Sequence, residues 1–162
     1  MTRFILISAC LVGENTRYDG TNKYQPSPLP WPDSFTIMPV CPEVACGLPV
    51  PREPMRLVKR TSLSAENLTS TQDYTERFYH WLYDAEELFP PILHGAILKE
   101  RSPSCGLSTP FYDSAGMMLG NTNGLFAQFL SMRYPNAILA TEEALFSAYA
   151  MQKFIDQTAQ LA

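Results

Sequence analysis

Short, dense runs of apolar residues separated by helical patterns restrict the fold of this sequence more than any other feature. Residues 3–9, 35–40, 95–99 and 137–140 form runs rich in branched side chains. Each run is too short for a core helix, so each predicts a buried β-strand. Residues 55–60 predict one further short strand.

Three segments have the periodicity of amphipathic helices, and they cover residues 73–88, 123–133 and 142–157. Asp73 is the predicted N-cap of the first helix, and Thr141 is the predicted N-cap of the last. Because the strands alternate with helices, the sequence predicts an α/β fold with a mostly parallel sheet, arranged as a Rossmann-like three-layer sandwich.

Length and composition predict one ordinary globular domain over residues 1–162, with 46% apolar and 17% charged residues. The net charge is −4 and the pI is about 5.1, so the chain lacks the basic surface that nucleic-acid binding requires. Phe4 to Val12 is too short for a membrane span or a signal peptide, so we expect a cytoplasmic protein without a membrane partner. The oligomeric state stays open.

Reducing cytosol favours metal binding or catalysis over disulfides for the four cysteines. Cys10, Cys41 and Cys105 each follow a predicted strand, and the carboxyl ends of parallel strands share one edge of a sheet. We therefore expect these three thiols to converge. Thiolates bind zinc, copper(I) or iron–sulfur clusters, but the paired spacings of structural zinc sites and the cysteine runs of ferredoxins are absent.

Three thiolate ligands suggest an iron–sulfur cluster with one iron left free for substrate. The alternative, that the three thiols only pack in the core, stays open. Cys46 could complete a four-thiolate site or be a buried thiol beside Gly47, and we favour the second interpretation. Glu43 could act as a general acid or base, or form an ion pair with Arg52.

Polar residues near the cysteines are further candidates for the site. Ser102 and Ser104 could direct hydroxyls at cluster sulfides or at substrate, or they could belong to a turn that only ends a strand. Asp19 lies in a long polar loop of the kind that often binds substrate. Asn123 lies where a helix begins, and the free N–H groups there could bind an anion or a polar heterocycle edge, or simply be capped.

Five stretches that contain many of these residues resemble the 2-thiouracil desulfurase family, and together they span nearly the whole chain. They are Ser8–Gly13, Arg17–Gly20, Cys41–Val44, Gly47–Arg52 and Leu98–Gly106, of which the last is the most specific.

The resemblance implies a [4Fe–4S] cluster bound by Cys10, Cys41 and Cys105. It implies removal of sulfur from a thiolated pyrimidine base such as 2-thiouracil, giving uracil and hydrogen sulfide without net redox change. Glu43 would then be the general acid or base, and Ser102 or Ser104 would orient the base or relay a proton. Rival hypotheses are another open-iron lyase or hydrolase, a sulfur-transferring tRNA enzyme, and a binding module stabilised by a cluster or by zinc.

Overall fold

The secondary structure alternates between strands and helices, as predicted, and contains more strands than predicted. The computed structural model describes residues 1–161. Its strands are β1 (Arg3–Ser8), β2 (Phe35–Val40), β3 (Met55–Lys59), β4 (Leu63–Asn67), β5 (Gly95–Leu98), β6 (Thr109–Tyr112), β7 (Met118–Thr122) and β8 (Ile138–Thr141). Its helices are α1 (Pro42–Ala45), α2 (Thr75–Asp84), α3 (Leu125–Arg133) and α4 (Ala148–Gln160), with short 3-10 turns at Ala9–Val12 and Glu86–Leu88.

The strands form two four-stranded sheets. The first sheet is all parallel and has the order β2-β1-β5-β8. The second sheet has the order β4-β3-β6-β7 and is mixed, because only its β3–β6 pair is parallel. The predicted α/β class is confirmed. The mixed sheet was not predicted, because β4, β6 and β7 lack the dense apolar runs from which strands were predicted. The Rossmann-like three-layer arrangement stays a prediction.

Successive residues of the parallel sheet face two different hydrophobic cores. Ile5, Ile7 and Ile97 pack in one core with Met151 and Phe154 of α4. The alternate residues of β1 and β5 pack in a second core, which they share with α2, α3 and the second sheet; its members include Leu6, Ala96, Leu98, Phe78, Leu82, Phe126, Leu130, Leu57 and Ala65. This period of two is the pattern of a strand that is buried on both faces.

Two predicted helix caps are wrong. Tyr74 occupies the N-cap position of α2, although the Asp73 carboxylate accepts a hydrogen bond from Thr75 N at 2.8 Å. Thr141 is the last residue of β8, and α4 begins only at Ala148, where Ser147 Oγ accepts from Ala150 N at 3.1 Å. Between β8 and α4, the Glu142 side chain accepts hydrogen bonds from Lys99 and Glu100, which follow β5.

Among residues 1–161, none of the helices combines the length and the apolar character needed to traverse a bilayer.

Candidate functional site

A cavity of about 420 Å³ lies at the edge of the parallel sheet where β1, β2 and β5 end. Its lining includes six of the residues that the sequence singled out: Cys10, Cys41, Cys105, Glu43, Ser102 and Ser104. Residues that are far apart in the sequence therefore meet at one cavity, as expected for the carboxyl edge of a parallel sheet.

Two of the three cysteines lie just beyond the ends of two adjacent strands. Cys10 lies in the 3-10 turn that follows β1, and its carbonyl accepts a hydrogen bond from Lys23 N at 2.9 Å. Cys41 directly follows β2 and is the N-cap residue of α1, where its carbonyl accepts from Ala45 N at 2.9 Å. Because β1 and β2 pair in parallel over their whole length, both strands end at the same level.

Cys105 reaches the cavity by a different route, because a turn separates it from the end of β5. Cys105 N donates to Ser102 Oγ at 3.0 Å within this turn. The first amides of α3 then hold the turn, since Leu125 N donates to the carbonyl of Pro103 at 3.1 Å and Phe126 N to that of Ser104 at 2.8 Å. The backbone carbonyls of the Cys105 turn therefore serve as the N-terminal cap of α3.

Two of the three thiols, Cys10 and Cys105, are buried, and Cys41 is half-buried. The pKa of Cys10 is raised to about 11, chiefly by burial and next by the neighbouring Cys41. The pKa of Cys105 is raised to about 12, chiefly by burial, while a hydrogen bond with Ser8 opposes the rise and the charges of Cys41 and Glu43 add to it. These thiols therefore become thiolates at neutral pH only if a strong positive charge, such as a metal centre, compensates them.

Glu43 accepts polar contacts at both carboxylate oxygens. Arg52 donates to Oε2 from Nε at 2.8 Å and lies 2.7 Å from it at Nη2, and both side chains are nearly buried. Ser104 Oγ donates to Oε1 at 3.0 Å. The ion pair with Arg52, which the sequence left as an alternative to a role in the site, is thus present, and Glu43 lines the cavity as well.

The two serines connect this carboxylate to the Cys105 turn. Ser102 Oγ lies 3.1 Å from Ser104 Oγ, and it accepts from the backbone N–H groups of Ser104 at 3.3 Å and Cys105 at 3.0 Å. Because those two amides already donate to Ser102 Oγ, its own proton is free to point at Ser104. The hydroxyls can therefore form a chain that ends on Glu43.

Asp19, Asn123 and Cys46 are outside the cavity lining. The Asp19 carboxylate accepts from Thr21 Oγ1 at 2.6 Å, and Asn123 contributes its backbone carbonyl to Gln128. The amides at the start of α3 are occupied by the Cys105 turn, so helix capping explains them without a bound anion. The substrate-binding roles of Asp19 and Asn123 stay predictions, without support from this geometry.

Several cavity residues were not predicted, among them Tyr18, Met55 and Lys99. Lys99 directly follows β5, so the strand-end argument that selected the cysteines could have found it. Tyr18 lies in the family-like stretch Arg17–Gly20 beside Asp19, whereas Met55 gives no comparable signal in the sequence. Among residues 1–161, no three His, Cys, Asp or Glu side chains are close enough together to hold a single metal ion.

Comparisons with known proteins identify the family of this chain. The sequence matches the family described as 2-thiouracil desulfurase over residues 5–142. It is 33% identical to the uncharacterized protein YbbK of Bacillus subtilis (strain 168) over 109 residues, which are 63% of this chain and 72% of that protein. The structure resembles that of the [4Fe-4S]-dependent thiouracil desulfidase TudS, with a TM-score of 0.68 and 29% identity over 94% of this chain and 99% of that one. The chain therefore belongs to the 2-thiouracil desulfurase family.

Proposed function

We propose that this protein removes sulfur from a small thiolated pyrimidine such as 2-thiouracil, using a [4Fe–4S] cluster held by Cys10, Cys41 and Cys105. The observation that carries this proposal is the meeting of three thiols in one cavity, of which Cys10 and Cys105 are buried and Cys41 is half-buried. Family membership and the likeness to a [4Fe-4S]-dependent thiouracil desulfidase support it.

The donor set fits an iron–sulfur cluster. All three donors are thiols, which suit soft metal centres and iron–sulfur clusters in particular. Burial is the main cause of the raised pKa values of Cys10 and Cys105, and a bound metal cluster would stabilise the thiolate forms of these two side chains. Cys46 is outside the lining and donates its thiol to the carbonyl of Glu43 at 3.2 Å, so it is left out of the proposed ligand set.

With three cysteine ligands, such a cluster supplies one iron as a Lewis acid for the sulfur of the substrate. The overall reaction adds water: the water oxygen bonds to the carbon, the C–S bond breaks, and two protons leave with the sulfur as hydrogen sulfide. No electron is gained or lost in this exchange, so the reaction is a hydrolytic desulfuration.

Side chains of the cavity carry out the proton transfers of this reaction. Glu43 accepts a proton from the attacking water, and Arg52 holds its carboxylate in place. Ser104 and Ser102 carry protons between Glu43 and the departing sulfur along the hydroxyl chain. Ser104 is 5% exposed and already donates to Glu43, so it is the inner member of this relay.

Oxygen-free reconstitution with iron and sulfide, followed by incubation with 2-thiouracil, tests the proposal. We expect uracil and sulfide in equal amounts, visible absorbance from the cluster, and loss of both cluster and turnover in Cys105→Ala. We expect Glu43→Gln to retain the cluster and lose turnover by roughly 10²-fold or more, as for removal of a general base. Cys46→Ala is the matched control and should keep cluster and turnover.

Two results would contradict the proposal. A colourless protein that binds zinc stoichiometrically and leaves 2-thiouracil intact would favour a zinc-stabilised binding module. Near-normal turnover in Glu43→Gln would leave the cluster assignment in place and remove the proposed proton transfer.

A further inference from the structure

A buried ion pair at the end of β5 is not used by the proposed mechanism. Lys99 Nζ lies 2.5 Å from Glu142 Oε1 and donates to the carbonyl of Glu100 at 3.1 Å. The two side chains are only 15% and 9% exposed. Burying such a pair carries a desolvation cost that often cancels its attraction, so stability alone is a weak explanation for it.

The two residues of the ion pair line different cavities. Lys99 lines the cavity that contains the three cysteines, whereas Glu142 lines a second, smaller and mainly apolar cavity. Lys99 is therefore the member of the pair that borders the cavity containing the thiols. Glu142 is itself held in place, because its Oε2 accepts from Glu100 N at 2.8 Å and its carbonyl accepts from Gln25 Nε2 at 3.1 Å.

We propose that Lys99 gives the thiol cavity a fixed positive charge that favours anionic sulfur species there, and that Glu142 is the positioning residue that holds the ammonium at the cavity wall. The inference deepens the proposed function and rests on it for its biological meaning, because the hydrogen sulfide formed in that reaction ionises to anionic hydrosulfide near neutral pH. A cation near the sulfur stabilises negative charge that develops as the C–S bond breaks.

Cys10 reports on this charge because it lines the same cavity as Lys99. Arg17 also lines that cavity, so Lys99 acts there beside a second cationic side chain.

A pair of alkylating reagents measures this field on the full chain prepared without iron. Iodoacetate is an anion and iodoacetamide is neutral, and both react with the same thiolate. The ratio of their rates at Cys10, followed by mass spectrometry of the Cys10 peptide at one pH, therefore cancels the fraction of thiolate and reports the local potential. We expect Lys99→Met to lower the iodoacetate-to-iodoacetamide ratio by roughly two- to fivefold, as for the loss of one partly screened charge.

Three further variants make the result specific. Lys99→Arg keeps the charge and should keep the ratio. Lys153→Met removes an exposed lysine of α4 and should also leave the ratio unchanged. Lys99→Met alone leaves the buried Glu142 carboxylate without its partner, which could disturb the fold, whereas the double variant Lys99→Met/Glu142→Gln removes both charges. We expect the iodoacetate-to-iodoacetamide ratio of the double variant to fall as well, because the positive charge of Lys99 is absent from the cavity wall.

An unchanged ratio in both Lys99→Met and the double variant overturns the inference and leaves the ion pair a purely structural contact. In the reconstituted enzyme, Lys99→Met should also weaken inhibition by added sulfide relative to Lys153→Met. The alkylation assay needs neither cluster nor turnover, so its failure is distinguishable from failure of the proposed desulfuration.

Discussion

The two sides of the cavity are built in different ways. Cys10 and Cys41 lie directly beyond two paired strands, so the backbone of the parallel sheet determines where they are. Cys105 lies on a turn that α3 holds through its amides, and Thr109 of the second sheet donates to the carbonyl of Ser102 in the same turn at 2.8 Å. The positions of Cys10 and Cys41 therefore depend on the pairing of two adjacent strands. The position of Cys105 depends on contacts between segments that are distant in the sequence.

Replacing Leu57 by Ala tests whether the two sheets are separate units. Leu57 lies in β3 of the second sheet, is fully buried, and shares a core with Leu6 and Leu98 of the parallel sheet. We expect Leu57→Ala to lower the free energy of unfolding by about 2–5 kcal/mol, the range for a buried leucine truncated to alanine. Urea unfolding followed by circular dichroism should show one transition, shifted as a whole.

The matched control is Leu68→Ala, whose side chain is 51% exposed and which should shift the transition little. Two separate transitions, with only one of them moved in Leu57→Ala, would show that the sheets unfold independently and would argue against a single domain.

Gly124→Ala tests the contact between the Cys105 turn and α3. A Cβ at Gly124 would lie 2.5 Å from the carbonyl oxygen of Ser104, which is part of the backbone and cannot move aside cheaply. We expect a loss of about 1–3 kcal/mol, as for overpacking, together with weaker cluster retention because the Cys105 turn is displaced. Urea unfolding and iron content per chain are the measurements.

Gly47→Ala separates this clash from backbone strain. Gly47 has a φ of +93°, and a Cβ at this position would have no neighbouring atom within 4 Å. Ala there therefore meets only the conformational cost of the left-handed region, about 1–2 kcal/mol. Gly47→Ala should keep its iron. Equal iron loss in both variants would mean that α3 does not hold the Cys105 turn.

The difference between the strand-end cysteines and the Cys105 turn also explains how much of the site could be predicted from the sequence. The apolar runs that end at Cys10 and Cys41 placed those thiols correctly, because a buried strand carries its own periodic signal. The position of Cys105 at the cavity was also expected, but the physical reason was incomplete, since a turn docked on a distant helix has no local pattern. Asn123 was selected because a helix starts there, yet the partners of that helix start are carbonyls from the Cys105 turn.

Ser147→Ala tests α4, a helix that packs against the parallel sheet in a core without residues of the second sheet. Ser147 Oγ accepts from Ala150 N, and α4 contributes Met151 and Phe154 to the core on that face. We expect a loss of about 1 kcal/mol, typical of a removed N-cap, measured as a shift of the urea midpoint with unchanged cluster content. Ser114→Ala, in the turn between β6 and β7, is the comparison; an equal shift there would show that capping is not responsible.

The smallest expected effect concerns His94, at the opposite edge of the parallel sheet from the thiols. His94 Nδ1 accepts from Phe4 N at 3.1 Å, and burial, followed by the charge of Arg3, lowers the pKa of this histidine below its usual value of 6.5. The unfolded chain therefore takes up a proton near pH 6.5, whereas the folded chain does so only at lower pH. The free energy of unfolding should thus fall as the pH drops below about 6.5, until His94 is protonated in the folded state as well.

Urea unfolding between pH 7 and 5 should give a shallower pH dependence for His94→Asn, whose amide oxygen can still accept from Phe4 N. His80→Asn changes an imidazole that is 74% exposed, so it should retain the slope of the original protein; if His94→Asn retains it too, the acid sensitivity arises elsewhere.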